Sequence, residues 1–424
     1  MPTDTSPLFA NSFSLVFVTL LLLGLIVKAG LMRRQVGHVQ AHRASVPPAF
    51  AASITLSSHQ RAADYTVARM RLGMLELVLS ALFVLLLTLG GGLQLIHDAW
   101  SVAFAPGSIA HGTALLASLG VLGWLFDLPF VLLRTFGIEK RFGFNRMSAR
   151  LFVADSARET ALAVVIGLPL LGALLWLTTA MGSLWWLWAW AFWLALNLLV
   201  MLIWPSFIAP LFNRFTPLAD EALKARVEGL LARCGFQSKG LFVMDGSRRS
   251  AHGNAYFTGF GASKRIVFFD TLLDKLNADE VEAVLAHELG HFRHRHILKR
   301  LAVLAPASLA VLALLGWLIE QAWFFTGLGS SASDTATALA LFFLALPVFS
   351  FPLAPLFSYW SRVHEFEADA YAAQQTRAAD LAAALVKLYR DNASTLTPDP
   401  LYSRFFDSHP PAALRISRLQ ALQS

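Results

Sequence analysis

Seven stretches of this sequence are long and apolar enough to cross a bilayer, and nothing else constrains its fold as strongly. A helix needs about 20 apolar residues to span the hydrocarbon core. In that solvent each backbone N–H and C=O must be paired within the protein, so segments of this length become helices. They lie at about 13–32, 73–96, 112–133, 160–180, 184–204, 303–325 and 337–359. Only 14% of residues are charged and 56% are hydrophobic, whereas a soluble domain carries about 25% charged residues. The first stretch has no basic run before it and is followed by Arg33 and Arg34, so it reads as a retained span and not a signal peptide.

The loop charges set an orientation. Connection one (about 33–72) holds Arg33, Arg34, Arg43, Arg61, Arg69 and Arg71, and connection three (about 134–159) holds Arg134, Lys140, Arg141, Arg146, Arg150 and Arg158. Residues 1–12, 97–111, 181–183 and 326–336 contain no Lys or Arg. The positive-inside rule then places the N-terminus outside and the odd-numbered connections and the C-terminus in the cytoplasm. The net charge of +7 is therefore a matter of topology, and nucleic acid is not an expected partner. The single cysteine, Cys234, excludes an internal disulfide framework or a thiolate metal cluster, and reads as a small buried apolar residue.

Four regions follow: residues 1–204 with spans one to five, 205–302 as a cytoplasmic insertion, 303–359 with spans six and seven, and 360–424 as a helical C-terminal region. Within the insertion, Glu221–Cys234 reads as an amphipathic helix and Leu241–Met244 as a strand. Asn254–Gly259 and Arg265–Phe269 read as a hairpin closed by the turn Gly259–Ser263. The expected class is an all-α polytopic membrane protein, its seven helices enclosing a chamber, with a small α+β insertion.

The chemistry centres on His287-Glu288-Leu289-Gly290-His291, an H-E-x-x-H motif. Asn277 and Glu280 form a capping-box start, and Val281, Val284, Leu285 and Leu289 an apolar stripe, of a helix expected from about Ala278 to Arg300. Residues four apart share a helix face, so both imidazoles converge as a zinc ion requires. Glu288 is placed to take a proton from a water activated there. The bland alternative is an amphipathic helix that happens to carry two histidines. His294 and His296 read as a solvated basic face.

A catalytic zinc takes a third protein ligand. A histidine six positions beyond His291 is excluded by Ile297, and Glu320 lies at the far end of span six. Spans six and seven leave and return to one membrane face, which brings back Glu365 and Glu367 in SRVHEFEADA (361–370). Glu365 shares a helix face with Asp369, while Glu367 points about 200° away from Glu365 at roughly 100° per residue. Glu365 is thus the expected third ligand, and Asp369 the acceptor that orients a ligand imidazole. The alternative is an acidic juxtamembrane face paired with Arg362.

These residues and several further motifs resemble the integral-membrane CAAX prenyl proteases of type 1. The motifs are IEKRFGFN (138–145), IAPLF (208–212), DGSRRS (245–250), NAYFTG (254–259), KRIVFFDTL (264–272), HELGH (287–291), SRVHEFEADAY (361–371) and SHPP (408–411). The resemblance implies a zinc metalloendopeptidase with one Zn2+ per chain, a chamber within the spans, and cleavage beside a prenylated C-terminal cysteine. By similarity Asn254 and His409 contact the substrate carbonyl. Read alone, Asn254 is slightly better explained as a turn residue after Gly253, and His409 is equally a loop histidine. His296 also matches the family's pattern. The Ala-rich, Arg-rich, Lys-poor composition points to a bacterial inner membrane, where the substrate is a prenylated peptide or a misfolded or small membrane protein. A non-catalytic scaffold or transporter with a structural zinc is the remaining alternative, against which the base Glu288 argues.

Overall fold

The computed structural model describes residues 7–258 and 265–422. Among the described residues seven helices have the length and apolarity to cross a membrane: Ala10–Ala41, Leu56–Leu87, Ile109–Glu139, Ala149–Ala180, Gly182–Phe212, His296–Leu318 and Thr335–Gln375. The number matches expectation, but most helices run beyond their apolar stretch, and spans two, six and seven end differently. Span two stops at Leu87, where Gly90–Gly92 break it with Gly91 at φ 75°, and Gly92–Ser101 forms a separate helix. Span six stops at Leu318, before a short helix Ala322–Gly327. Span seven does not end at 359. It runs Thr335–Ser350, bends through a 3-10 turn at Phe351–Leu353, and restarts as Ala354–Gln375, so the boundary expected at 359/360 falls inside one helix. Pro352 and Pro355 mark the restart, in first-turn positions where a missing N–H is tolerated.

The insertion holds a four-stranded sheet, β1 Phe215–Pro217, β2 Leu241–Met244, β3 Ala255–Thr258 and β4 Arg265–Phe269, in the order β1-β2-β4-β3. β3 and β4 pair antiparallel as the expected hairpin, from Ala255 opposite Phe268 to Thr258 opposite Arg265. The expected turn at Gly259–Ser263 lies outside the described residues. β2 and β4 pair in parallel, and β3 forms a sheet edge. The helix Glu221–Arg233 and the metal helix Ala278–Arg293 join this sheet in one core, through Leu223, Val227, Leu230, Val281, Leu285, Leu289, Ile266 and Phe268. Each buried leucine contributes about 1.5–3 kcal/mol.

The metal helix begins as its sequence requires. The Asn277 side chain accepts from the Glu280 N–H (2.9 Å), and the Glu280 carboxylate accepts from the Asn277 N–H (2.8 Å). It does not run on to Arg300. It ends at Arg293, and Arg295 takes the left-handed conformation (φ 54°, ψ 38°) before His296 opens span six. His296 therefore does not sit on a continued helix face, and the chain turns it back toward the metal helix.

The metal helix packs against Ala354–Gln375, hereafter the carboxylate helix. A Cβ on Gly290 would lie 2.8 Å from the Ala368 Cα and 3.0 Å from its carbonyl oxygen, and Ala368 is fully buried. Backbone meets backbone here, so no side chain can move aside to make room. We predict that Gly290→Ala lowers stability by about 1–3 kcal/mol through overpacking and reduces bound metal by displacing Glu365. Thermal unfolding and metal analysis of the purified protein check this; a variant unchanged in both would show that the approach is not required.

Candidate active site

The two histidines of the motif project from one face of the metal helix, with their Nε2 atoms 3.3 Å apart. The carboxylate helix brings Glu365 over them. Its Oε2 lies 3.5 Å from His287 Nε2 and its Oε1 3.5 Å from His291 Nε2. Ligands held at 2.0–2.1 Å around a tetrahedral ion stand roughly 3.3–3.4 Å apart, so this triangle fits a zinc-sized ion. Glu365 Oε2 is buried and accepts no hydrogen bond, and the Arg415 Nη1 stands 3.5 Å from it.

Each of the two histidines is backed by a buried polar group. His287 Nδ1 lies 2.9 Å from Asp369 Oδ1, one turn beyond Glu365 on the same helix. Asp369 is clamped in turn by Arg415, whose Nε and Nη2 donate to its two oxygens at 2.8 and 2.6 Å. Arg415 did not figure among the expected site residues. It sits on the final helix, Ala412–Ala421, whose buried positions are Ala412, Arg415, Ile416 and Leu419. An arginine on the apolar stripe of an amphipathic helix was the available signal.

His291 is backed differently. Its Nδ1 lies 2.9 Å from His296 Nδ1, and His296 Nε2 lies 2.7 Å from Glu367 Oε2. His296, read above as part of a solvated face, is buried, and His364 stacks on it with ring centroids 3.9 Å apart. Glu367 does not enter the ligand triangle but reaches the second histidine through His296. His294 stays half-buried and stacks on His296. Arg362 does not neutralise the acidic face. Its guanidinium donates to the carbonyls of Ser403, Arg404 and Asp407 and so caps the C-terminal end of the helix Pro400–Phe406.

That cap fixes the loop that follows, where His409 Nε2 comes within 3.4 Å of Glu365 Oε1 while its side chain remains 61% exposed. Asn254 is exposed at the start of edge strand β3, and its side-chain oxygen accepts from the Ala255 N–H at 2.8 Å. A cavity of about 600 Å³ lies beside His409, lined also by Tyr65, Arg69, His252, Tyr389 and Asn392.

Glu288 is half-buried next to the first histidine. Burial, with the charge of Glu365 adding, raises its pKa above the ordinary carboxylate value. Within the cluster burial works against charge on both histidines. For His287 the facing carboxylates of Asp369 and Glu365 outweigh it and carry the pKa up to about 9. For His291 burial and the neighbouring His287 lower it to about 3.

This arrangement is that of a metallopeptidase, and comparison with known proteins agrees. Residues 35–214 match the family described as CAAX prenyl protease N-terminal, five membrane helices, and residues 217–423 match Peptidase family M48. A CAAX prenyl protease 1 homolog of Arabidopsis thaliana is 40% identical over 323 residues, covering 74% of each chain. The CAAX prenyl protease 1 of Saccharomyces cerevisiae is 36% identical over 330 residues, covering 74% of this chain and 72% of its own. The crystal structure of S. mikatae Ste24p superposes with a TM-score of 0.88 at 30% identity, covering 96% of this chain and 99% of that one. A helical membrane chain with a paired-histidine and glutamate cluster in its peptidase half thus belongs to the CAAX prenyl protease 1 family of M48 metallopeptidases.

Proposed function

We propose that this protein is a zinc endopeptidase that cuts CAAX-type prenylated substrates on the carboxyl side of the modified cysteine. The observation that carries the reading is the triangle of His287, His291 and Glu365, with edges of 3.3, 3.5 and 3.5 Å, beside a half-buried Glu288. His287, His291 and Glu365 would hold the zinc, which when bound would supply Lewis-acid polarisation of the scissile carbonyl and of a water. Glu288 takes the proton of the attacking water and delivers it to the leaving amine. Asp369 receives the Nδ1–H of His287, which leaves Nε2 for the ion, and Arg415 fixes Asp369. Asn254 and His409 donate to the oxygen on which charge develops.

The substrate peptide adds to the free edge of β3 as a further strand, which places its backbone beside Asn254. The prenyl chain lies among the spans. In support, the most apolar window of each span has only 6% to 28% of its residues buried by the rest of the chain. A solid bundle would bury a stripe of every helix. The loop charges favour a cytoplasmic active site, and the Ala-rich, Arg-rich, Lys-poor composition favours a bacterial inner membrane.

Three tests follow. A farnesylated peptide ending in a CAAX sequence should be cleaved after its cysteine, and much faster than the unprenylated peptide. Equal rates would instead favour a membrane quality-control protease without prenyl recognition. On the same substrate Glu288→Gln should retain zinc and lose at least about 10²-fold in turnover; activity within tenfold of wild type would mean another group is the base.

Arg415→Met removes the partner of a buried carboxylate. It should weaken zinc binding by about 10–100-fold, read by chelator competition, and the assignment fails if the variant holds zinc as tightly as wild type. Reporter fusions after Arg150 and at the C-terminus should read as cytoplasmic, and one near Gly107 as outside. A C-terminus on the outside would move the active site to the other compartment.

A further inference from the structure

At the opposite end of the membrane bundle three further residues converge. His97 lies on the helix Gly92–Ser101, His111 in the first turn of span three, and Asp334 caps the start of span seven. One ligand-type atom of each lies within 4.8 Å of the others. The whole length of span seven separates this group from Glu365, so it is no part of the catalytic cluster. We propose that His97, His111 and Asp334 form a second divalent-metal site of the zinc class.

The argument begins with protons. His111 is fully buried, and its Nε2 lies 3.1 Å from the His97 carbonyl oxygen and 3.2 Å from Ser101 Oγ. Ser101 donates its own hydroxyl proton to the same carbonyl at 2.9 Å. Nε2 must therefore carry the imidazole proton, and Nδ1 keeps a lone pair. That Nδ1 is buried and has no hydrogen-bond partner. A neutral histidine whose N–H is committed to a backbone carbonyl and whose other nitrogen is unused is the form in which histidine binds metals.

His97 is prepared in the same way. Its Nδ1 lies 3.1 Å from Asp98 Oδ1, and its Nε2 3.1 Å from Asp334 Oδ2. With the Nδ1 proton given to Asp98, Nε2 faces the Asp334 oxygen at nearly the roughly 3.3 Å that separates two ligands on one zinc ion. Asp334 is itself oriented, accepting from the Thr337 N–H at 3.1 Å and the Thr337 hydroxyl at 2.8 Å. The frame behind it is tight: a Cβ on Gly112 would meet the Ala336 Cβ at 2.8 Å and Leu175 at 2.9 Å. Two imidazoles and a carboxylate select a borderline ion such as zinc over calcium or magnesium. Bound there, it would tie the short helix and spans three and seven together at that face.

Zinc stoichiometry of the full-length purified protein tests the proposal, with zinc alone as the probe. Wild type should bind two equivalents. The double variant His287→Ala/His291→Ala, which lacks the catalytic histidines, should keep one. His111→Ala and Asp334→Asn, each in the otherwise wild-type chain, should drop from two to one while retaining peptidase activity. One equivalent in wild type and none in the His287/His291 variant would overturn the proposal, whatever the fate of the other two variants. A variant lacking His111 that still binds two equivalents would overturn it equally.

Discussion

The contact between Gly290 and Ala368 is the constraint on which the active site rests. Two helices far apart in sequence must approach until backbone touches backbone, because only then does a glutamate side chain reach two imidazoles on the neighbouring helix. A glycine within H-E-x-x-H and an alanine between Glu365 and Asp369 are the smallest residues that permit it. The sheet core on the other side of the metal helix presses the pair together, since Val281, Leu285 and Leu289 are buried there.

Around that contact and at the edges of the insertion, several charges placed where water is scarce are held in pairs. Leaving one partner of such a pair alone costs about 3–5 kcal/mol, so the pairs act as constraints on assembly. Asp369 is held by Arg415, and Glu280 of the capping box also receives Lys387 at 2.7 Å. Arg249 bonds Asp155 through two nitrogens, at 2.9 and 3.1 Å, and also the Phe212 carbonyl at 2.6 Å. The DGSRRS segment therefore joins the insertion to the ends of spans four and five. Its role in the fold is mechanical, although it was first read as a family signature.

Span number, the sheet hairpin, the capping box and the Glu365–Asp369 pairing were legible because each has a local period or spacing. What escaped lacked one. The break at Arg295 has no glycine or proline to announce it. β1 is three residues long and ends in proline. The parallel pairing of β2 with β4 depends on where β3 sits, which no local pattern states. Arg415 meets Asp369 across 46 positions, and only its place on an apolar stripe hinted at burial. His296 was misread because its surroundings were taken from a continuous helix that does not exist.

The carboxylate helix has two allegiances. It is the inner part of span seven, restarting at Ala354 after the 3-10 turn, and it also carries Glu365. Transmembrane helices adjust to hydrocarbon thickness by tilting or kinking. Beyond the turn, Tyr371 and Ala372 pack this helix into the same core as the metal helix. The turn at Phe351–Leu353 is therefore the place where a change of tilt in the membrane can be absorbed without parting Glu365 from the two histidines.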